Sequence, residues 1–295
     1  MPEFRPVELK DREWLHNLMC KSNTKNADFC FVSLYSWGPF YDVKICSQYP
    51  VPVISSLLDG RRVYALPYFD KETIDRLLID FPRLTLQSLS PEDVSCIEEQ
   101  YPGKFAFAPQ TENFDYVYSA EKLASLAGKK LHAKRNYVNR FMNQYEGRWS
   151  FEPIRTDNEV NQKHIESCRY LDNLWSEEKT AEGEKEVISS VLRDFAPLCL
   201  DGGVLYVEGS PVAFTIGERV CCDTFVVHFE KALSHIEGAY QMINKEFAGY
   251  VISKYPEIKY INREEDMGHE SLRKAKQSYY PEFLVEKYLA SVITQ

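Results

Sequence analysis

Residues 204–229, which read VLYVEGSPVAFTIGERVCCDTFVVHF, decide the fold. The runs 204–207, 212–218 and 222–229 are rich in valine, phenylalanine and threonine, which favour strands. The segment 208–211, Glu-Gly-Ser-Pro, is typical of a turn between the first two runs. The stretch therefore predicts three consecutive antiparallel strands.

Outward from this meander, the second half of the chain continues with alternating helical and extended patterns. Two helices are predicted before the meander, over residues 165–175 and 184–195. The elements predicted after it are a helix over 238–253, a strand over 258–262, a helix over 268–277 and a strand over 283–293.

The first half repeats this order of elements without repeating the residues themselves, which is a weaker signal than a true sequence repeat. The turn Asp59-Gly60 divides two of its strands, and Asp70 and Ser90 are typical helix caps. The predicted helices cover 9–19, 71–81 and a segment beginning at Ser90, and the predicted strands cover 42–48, 51–58, 61–69, 83–87, 104–108 and 114–118.

Each half thus reads helix, three antiparallel strands, helix, strand, helix, strand, an order that matches the GNAT acyltransferase fold. We predict an α+β (α/β mixed) protein with two tandem GNAT-like acyltransferase domains, each a mixed, mostly antiparallel sheet flanked by helices. A long helix over 120–145 is predicted between the halves, and the expected domains are 1–134 and 135–295. The alternative is a single α+β domain with one large sheet.

Composition narrows the class of protein. The chain has 295 residues, 44% of them hydrophobic, and a net charge of -9, which argues mildly against a dedicated nucleic-acid binder. No secretory signal or membrane-spanning stretch is expected. The eight cysteines form no C-x-x-C pair, so we expect reduced thiols and a cytoplasmic protein.

The densest charged feature is a basic run over residues 128–140, which contains no acidic residue. One interpretation is a solvated helix face. The other is a binding patch for an anion, such as a phosphate of coenzyme A, a lipid headgroup or tRNA. The basic residues of this run are Lys129, Lys130, Lys134, Arg135 and Arg140.

The segment Asn262-Arg263-Glu264-Glu265-Asp266-Met267-Gly268 joins a predicted strand to a predicted helix, where ligands commonly bind in α/β sheets. Asp266 is either a cap of that helix or part of a site. Arg263 with Glu264 or Asp266 is a candidate buried pair, and a carboxylate here is a candidate general base for an attacking amine.

A third candidate feature surrounds Glu230 at the end of the predicted third strand. In the GNAT fold, the following loop binds the pyrophosphate of coenzyme A through backbone N–H groups. Here that loop, 235–240, keeps one glycine of the expected pattern and places Glu237 beside the phosphates. We therefore expect weak or absent coenzyme A binding.

Residues 272–281 supply further candidates. Arg273 and Lys276 share one face of the predicted helix, either as solvated charges or as ligands of a carboxylate or phosphate. Tyr279 is a candidate proton donor to a leaving group. The histidines show no metal-binding spacing, and no P-loop, G-x-S-x-G or H-E-x-x-H motif occurs, so no metal site is predicted.

Several of these blocks resemble a known bacterial family, the uncharacterised relatives of the C-terminal domain of phosphatidylglycerol lysyltransferase. The resemblance covers nearly the whole chain, and its most specific part runs from Asn262 to Lys276. It implies a tandem GNAT fold similar to that of the Fem-type peptidyltransferases, which take an aminoacyl group from charged tRNA and place it on an amine or hydroxyl. The blocks are 115–118, 128–136, 230–232 with 238–240, and 262–276.

We therefore predict an acyl- or aminoacyltransferase whose donor is aminoacyl-tRNA, with acyl-CoA as the other donor and a small molecule, peptide or lipid headgroup as acceptor. The alternatives are an inactive GNAT-like binding module and an acyl-CoA-dependent N-acetyltransferase. No cofactor is certain from the sequence. The candidate catalytic residues are Glu230, Glu264, Asp266 and Tyr279, and the candidate substrate-binding residues are Asp115, Tyr116, Tyr118, Asn262, Arg263, Arg273 and Lys276.

Overall fold

The computed structural model describes residues 2–155, 159–178 and 183–293. The contacts between residues divide the chain into two units. Unit 1 consists of Met1–Asp115, Glu265–His269 and Leu284–Gln295, and unit 2 consists of Tyr116–Glu264 and Glu270–Phe283. None of the described helices is long and apolar enough to cross a membrane.

The described residues form both strands and helices. The strands are β1 (Arg5–Pro6), β2 (Lys44–Cys46), β3 (Val53–Leu58), β4 (Arg61–Ala65), β5 (Thr85–Leu89), β6 (Phe105–Pro109), β7 (Asp115–Ser119), β8 (Trp149–Ile154), β9 (Asp201–Val207), β10 (Ser210–Arg219), β11 (Thr224–Ala232), β12 (Tyr260–Asn262), β13 (Phe283–Val285) and β14 (Tyr288–Val292). The helices are α1 (Arg12–Ser22), α2 (Phe31–Ser36), α3 (Gly38–Tyr41), α4 (Lys71–Asp80), α5 (Pro91–Gln100), α6 (Ala120–Ser125), α7 (His132–Gln144), α8 (Glu159–Glu178), α9 (Glu184–Arg193), α10 (Ala239–Lys254) and α11 (Glu270–Gln277).

Within the described residues, each of the two sheets has seven strands. The first has the order β1-β2-β3-β4-β5-β14-β6, and the second has the order β13-β7-β12-β11-β10-β9-β8. Among the described strands of the first sheet, β4 and β5 are the pair that is parallel, and the other pairs are antiparallel. In the second, β11 and β12 are parallel, whereas β8 to β11 form an antiparallel meander and β12 pairs antiparallel with β7. The predicted α+β class, with mixed and mostly antiparallel sheets flanked by helices, is confirmed.

Each sheet contains strands from both halves of the sequence. β14 lies near the end of the sequence but sits between β5 and β6 in the first sheet, and β7, predicted as the last strand of the first half, lies in the second sheet. This arrangement differs from two consecutive halves divided at residue 134. The limits of the predicted domains, 1–134 and 135–295, and the internal duplication stay predictions.

The predicted single helix over 120–145 is wrong, because the helix is interrupted between α6 and α7. Leu126 has a left-handed backbone with φ 49°, and Gly128 has φ 90°, which glycine adopts without strain. The Arg135 side chain donates to the carbonyl oxygens of both residues, to that of Gly128 at 2.8 Å. The predicted final strand over 283–293 is likewise two strands, β13 and β14.

The predicted capping residues mark the starts of two helices. The Asp70 carboxylate accepts a hydrogen bond from Thr73 N at 2.8 Å and caps α4. Ser90 and Asp93 form a reciprocal capping box at the start of α5. These caps satisfy backbone N–H groups that a helix start leaves unpaired.

The hydrophobic core of unit 2 fixes the elements around the candidate site. Val138 and Phe141 of α7 and Met242 and Phe247 of α10 belong to one buried cluster, together with Phe225 of β11. Burial of a side chain of this size contributes about 1.5–3 kcal/mol. Helices α7 and α10 are therefore anchored through their apolar faces, which leaves their polar residues in defined positions.

Candidate functional site

The parallel pair β11–β12 places two polar segments side by side. Val226 pairs with Asn262, where β12 ends, whereas β11 continues to Ala232. Carboxyl ends of neighbouring parallel strands share one edge of a sheet. The residues that follow β12 therefore lie beside the last part of β11, which carries His228 and Glu230.

Hydrogen bonds on both sides hold the backbone that follows β12. Arg263 N donates to Tyr116 O at 3.0 Å, and Tyr116 N donates to Glu264 O at 3.1 Å. The Asn262 side-chain oxygen accepts from Glu264 N at 2.7 Å. Glu264 has a left-handed backbone with φ 57°, which costs a residue of this type about 1–3 kcal/mol. The surrounding bonds therefore impose the direction of its side chain.

Arg263 and Glu230 form an ion pair inside unit 2. Arg263 Nη2 donates to Glu230 Oε1 at 2.8 Å, and the two side chains are only 16% and 8% exposed. Asn244 Nδ2 donates to the other carboxylate oxygen at 3.1 Å. Burial lowers the pKa of Arg263, but the charge and hydrogen bond of Glu230, together with Tyr118 and Tyr279, outweigh this effect, so the pKa is raised. Arg263 is therefore a permanent buried cation.

Aromatic rings line the Arg263 guanidinium. Its central carbon lies 5.0 Å from the ring centre of Tyr279 and 5.8 Å from that of Tyr118. Burial raises the pKa of both tyrosines well above the usual value, although the charge of Arg263 partly opposes the shift. Both hydroxyl groups therefore keep their protons at neutral pH and can donate hydrogen bonds.

Three buried polar atoms near Glu230 have no hydrogen-bond partner among the described residues. They are Arg263 Nη1, Asn244 Oδ1 and Thr215 Oγ1. Thr215 lies opposite Glu230 in the β10–β11 register. An unsatisfied buried polar atom costs about 1–3 kcal/mol. The Arg263 N–H is a donor available to a ligand that reaches it.

His228 connects two carboxylates. Its Nδ1 lies 2.7 Å from Glu264 Oε1 and its Nε2 lies 3.2 Å from Glu218 Oε1. The side chains of His228 and Glu218 are buried, whereas that of Glu264 is 26% exposed. The imidazole can therefore orient the Glu264 carboxylate.

Two lysines lie close to this group in different ways. Lys276 is buried and donates to the carbonyl oxygens of Arg263 and Glu264, to the second at 3.3 Å. The ammonium nitrogen of Lys134 lies 4.3 Å from the ring centre of Tyr279. Lys276 stabilises the backbone after β12, and Lys134 brings a positive charge to the ring.

The structure thus groups Glu230, Asn262, Arg263, Glu264, Lys276 and Tyr279, with Tyr116 and Tyr118 buried beside them. Arg273 is half-buried on α11. Two other predicted residues belong to unit 1. Asp115 is fully buried, lies 2.7 Å from Lys287 Nζ and accepts a hydrogen bond from Ala27 N at 2.8 Å. Asp266 is buried and accepts from Gly268 N at 2.9 Å, within the turn before α11.

The predicted basic patch is only partly exposed. Lys129, Lys130 and Arg140 are exposed, whereas Lys134 and Arg135 are half-buried. Arg140 forms an ion pair of 3.0 Å with Glu237, the acidic residue of the predicted pyrophosphate loop. The carboxylate of Glu237 is therefore partly neutralised by α7.

The amino end of α10 packs against α7. Gly238 caps the helix with φ 84°, and a Cβ atom placed there would lie 2.6 Å from the carbonyl oxygen of Tyr137 and 3.0 Å from Phe141 Cβ. A backbone carbonyl oxygen thus approaches the helix end that would hold a pyrophosphate in acyl-CoA binding.

Sequence reasoning missed several members of the buried group. Thr215 reads as an ordinary strand residue and Asn244 as part of an amphipathic helix, so neither carries a local signal. His228 belongs to the segment that the sequence singles out around Glu230, but it has no predicted role, although it stands two residues before Glu230 and alternate strand residues share a face.

Comparison with known proteins adds family information to this geometry. Residues 67–291 match the profile of the family described as phosphatidylglycerol lysyltransferase, C-terminal. A conserved protein of unknown function from Bacteroides thetaiotaomicron is 34% identical, with a TM-score of 0.91 over 99% of this chain and 100% of that one. Lower-identity structures share the fold: L-PGS from Bacillus licheniformis (13%, TM-score 0.63, 97% and 93% covered) and FemX (8%, TM-score 0.62, 99% and 97% covered). The resemblance predicted from the sequence is confirmed.

A curated relative has no assigned activity. An uncharacterised protein of Mycoplasmoides gallisepticum is 30% identical over 192 residues, which is 61% of this chain. The chain spans 56% of the length of that relative.

Proposed function

Because the chain belongs to the phosphatidylglycerol lysyltransferase C-terminal family, we propose that it transfers an aminoacyl group from aminoacyl-tRNA to an amine or hydroxyl acceptor. We place the reacting groups in unit 2 and the reaction in the cytoplasm, where the eight free thiols of the chain would stay reduced. The acceptor class includes lipid headgroups and peptides.

One observation carries this proposal. Arg263 is held by Glu230 through one terminal nitrogen, and the other terminal nitrogen, Nη1, is a buried donor that has no partner among the residues the structure describes. A fixed cationic N–H in a buried site is suited to an oxygen that gains negative charge during acyl transfer. Asn244 and Glu230 orient the guanidinium and need not react themselves.

Glu264 is the base of the proposed reaction. The acceptor oxygen or nitrogen attacks the carbonyl carbon of the aminoacyl ester, and its proton passes to the Glu264 carboxylate. The bond from that carbon to the ribose oxygen then breaks, and Tyr279 supplies a proton to the departing oxygen. Glu264 suits this role because its carboxylate is partly exposed and hydrogen-bonded to the buried His228.

The direct test is transfer from labelled aminoacyl-tRNA to phosphatidylglycerol vesicles or to a peptide with a free amine. Glu264→Gln should lower kcat by about 100-fold or more, because removal of a general base typically costs that much. Arg263→Lys should lower kcat/KM, because lysine keeps the charge but not the fixed second N–H.

Arg219→Lys is the matched control, since Arg219 pairs with Glu257 on the surface of unit 2. Its activity should equal that of the wild type. Circular dichroism would verify that each variant is folded. Absence of transfer by the wild-type chain from a full mixture of aminoacyl-tRNAs to both acceptors would contradict the proposal, and so would full activity of Glu264→Gln.

A further inference from the structure

The surface around α7 alternates cations with exposed aromatic rings. The ammonium nitrogen of Lys130 lies 5.2 Å from the ring centre of Tyr280, and the guanidinium of Arg140 lies 4.5 Å from that of Tyr137. Tyr280 is 49% exposed and Tyr137 is 37% exposed. These rings are large apolar planes that remain open to solvent beside positive charges.

The members of this surface form a row. Lys134, Tyr137 and Arg140 are spaced three residues apart on α7, so consecutive members are neighbours on the helix surface and the three extend about 9 Å along the helix. Lys130 precedes them by four residues. The segment from residue 122 to residue 145 contains no aspartate or glutamate. This surface is thus positive within a chain of net charge -9.

The cations of this surface differ in whether they pair with a carboxylate. Within the described part of the chain, Lys129 and Lys130 have no carboxylate partner, whereas Arg140 pairs with Glu237. Cations without partners attract the phosphates of a nucleic acid, and exposed tyrosine rings stack on unpaired bases. Paired bases in a duplex are already stacked on each other and do not offer their faces.

We propose that this strip, Lys129, Lys130, Tyr137, Arg140 and Tyr280, binds single-stranded RNA by stacking bases on its tyrosines and contacting phosphates with its lysines. The inference rests on the proposed function, in which the strip holds an unpaired end of the donor RNA. It adds that the RNA is recognised as a single strand and not as a duplex.

An anionic membrane is the competing partner for a basic aromatic helix, but α7 fits it poorly. A helix that lies in a membrane interface needs a continuous apolar face turned outward. The apolar residues Val138 and Phe141 of α7 are instead buried in the core of unit 2, and Met142 is its exposed aliphatic side chain. The exposed rings lie against cations, as in nucleic-acid binding surfaces.

The test measures binding of the full chain to a fluorescent unstructured RNA oligonucleotide without an amino acid, and to an RNA duplex of equal length. We expect tighter binding to the single strand. Tyr137→Ala and Tyr280→Ala should each weaken it about fivefold or more, as for the loss of one stacked base. Lys129→Gln with Lys130→Gln should lower the slope of log Kd against log salt by about 1.4.

Tyr170→Ala, which removes an equally exposed tyrosine from α8, is the matched control and should bind like the wild type. Wild-type affinity in the Tyr137 and Tyr280 variants would overturn the inference. Equal affinity for duplex would also overturn it, as would binding to phosphatidylglycerol vesicles without binding to RNA.

The two proposals can fail separately. Binding of the oligonucleotide does not require transfer, so loss of the proposed activity leaves this measurement intact. If transfer is observed but the double variant Tyr137→Ala, Tyr280→Ala keeps the wild-type KM for aminoacyl-tRNA, the strip is not the RNA site and the proposed reaction stands.

Discussion

At Lys134 a charged side chain is half-buried against an aromatic ring, with its nitrogen 4.3 Å from the Tyr279 ring centre. Burial lowers the pKa of Lys134, and the nearby charge of Arg263 lowers it further. The folded protein therefore binds this proton less tightly than the unfolded chain does. At neutral pH the charge costs stability, and this cost falls as pH rises above the folded pKa and is gone above the unfolded pKa.

We accordingly expect Lys134→Met to raise the melting temperature at pH 7 by about 1–3 °C, since a fraction of a kcal/mol corresponds to a shift of this size. The difference from the wild type should shrink towards pH 11, where the wild-type lysine is neutral. Thermal melts of both proteins over this pH range provide the measurement. Lys129→Met, at an exposed position, should show no effect, and a drop in stability for Lys134→Met at pH 7 would refute the argument.

At the scale of elements, the packing of α7 against α10 determines which donors unit 2 can hold. The cap residue Gly238 lies under the carbonyl oxygen of Tyr137, and Glu237 beside it pairs with Arg140. A pyrophosphate at this helix end would need converging backbone N–H groups free of negative neighbours. Here the carbonyl oxygen of Tyr137 and the carboxylate of Glu237 lie near the end of α10 where the pyrophosphate would bind.

We therefore predict weak or absent binding of acetyl-CoA, measured by titration calorimetry with the full chain. The expected dissociation constant is millimolar or weaker, corresponding to about -4 kcal/mol or less favourable. A micromolar constant, about -8 kcal/mol, would contradict this prediction and favour an acyl-CoA donor.

At the scale of the molecule, the two sheets exchange strands along the chain. β14 completes the first sheet between β5 and β6. The segment before it carries Lys287, whose buried ammonium group lies 2.6 Å from Asp28 and 2.7 Å from Asp115. Burial alone would lower the pKa of Lys287, but these carboxylates outweigh it and raise the pKa.

A chain shortened before Lys287 should therefore lose the structure of unit 1, since β5 and β6 would have no strand between them. Hydrogen exchange should show lost protection in β3, β4 and β5, while β9 to β11 of unit 2 stay protected. The control is a chain that ends at Ile293 and keeps all of β14. Equal protection of β5 in both shortened chains would disprove the role of β14.

The sequence correctly predicts those parts of the fold that are determined by neighbouring residues. The turns Asp59-Gly60 and Glu208-Gly209 and the capping residues Asp70 and Ser90 are decided by a few neighbouring residues, and the structure agrees with them. The exchange of β7 and β14 depends on pairing between distant segments, such as Leu89 with Tyr288, which no local pattern encodes.

The same distinction applies to the site. Glu230, Arg263 and Glu264 could be selected because charged residues at strand ends are conspicuous. Thr215 and Asn244 contribute through the geometry of neighbouring elements, so the sequence alone does not single them out. Asp115 shows the opposite case, because its conspicuous charge is paired with Lys287 inside unit 1.

The late position of β14 also has a consequence for the nascent chain. β6 ends at Pro109 and β14 begins at Tyr288. At translation rates of 5–20 residues per second, β5 and β6 leave the ribosome roughly 10–40 s before the strand that joins them. During that interval both present unpaired edges to other proteins in the cell. The first sheet can close only after β14 has left the ribosome, so its yield in the cell should depend on the chaperones that cover such edges.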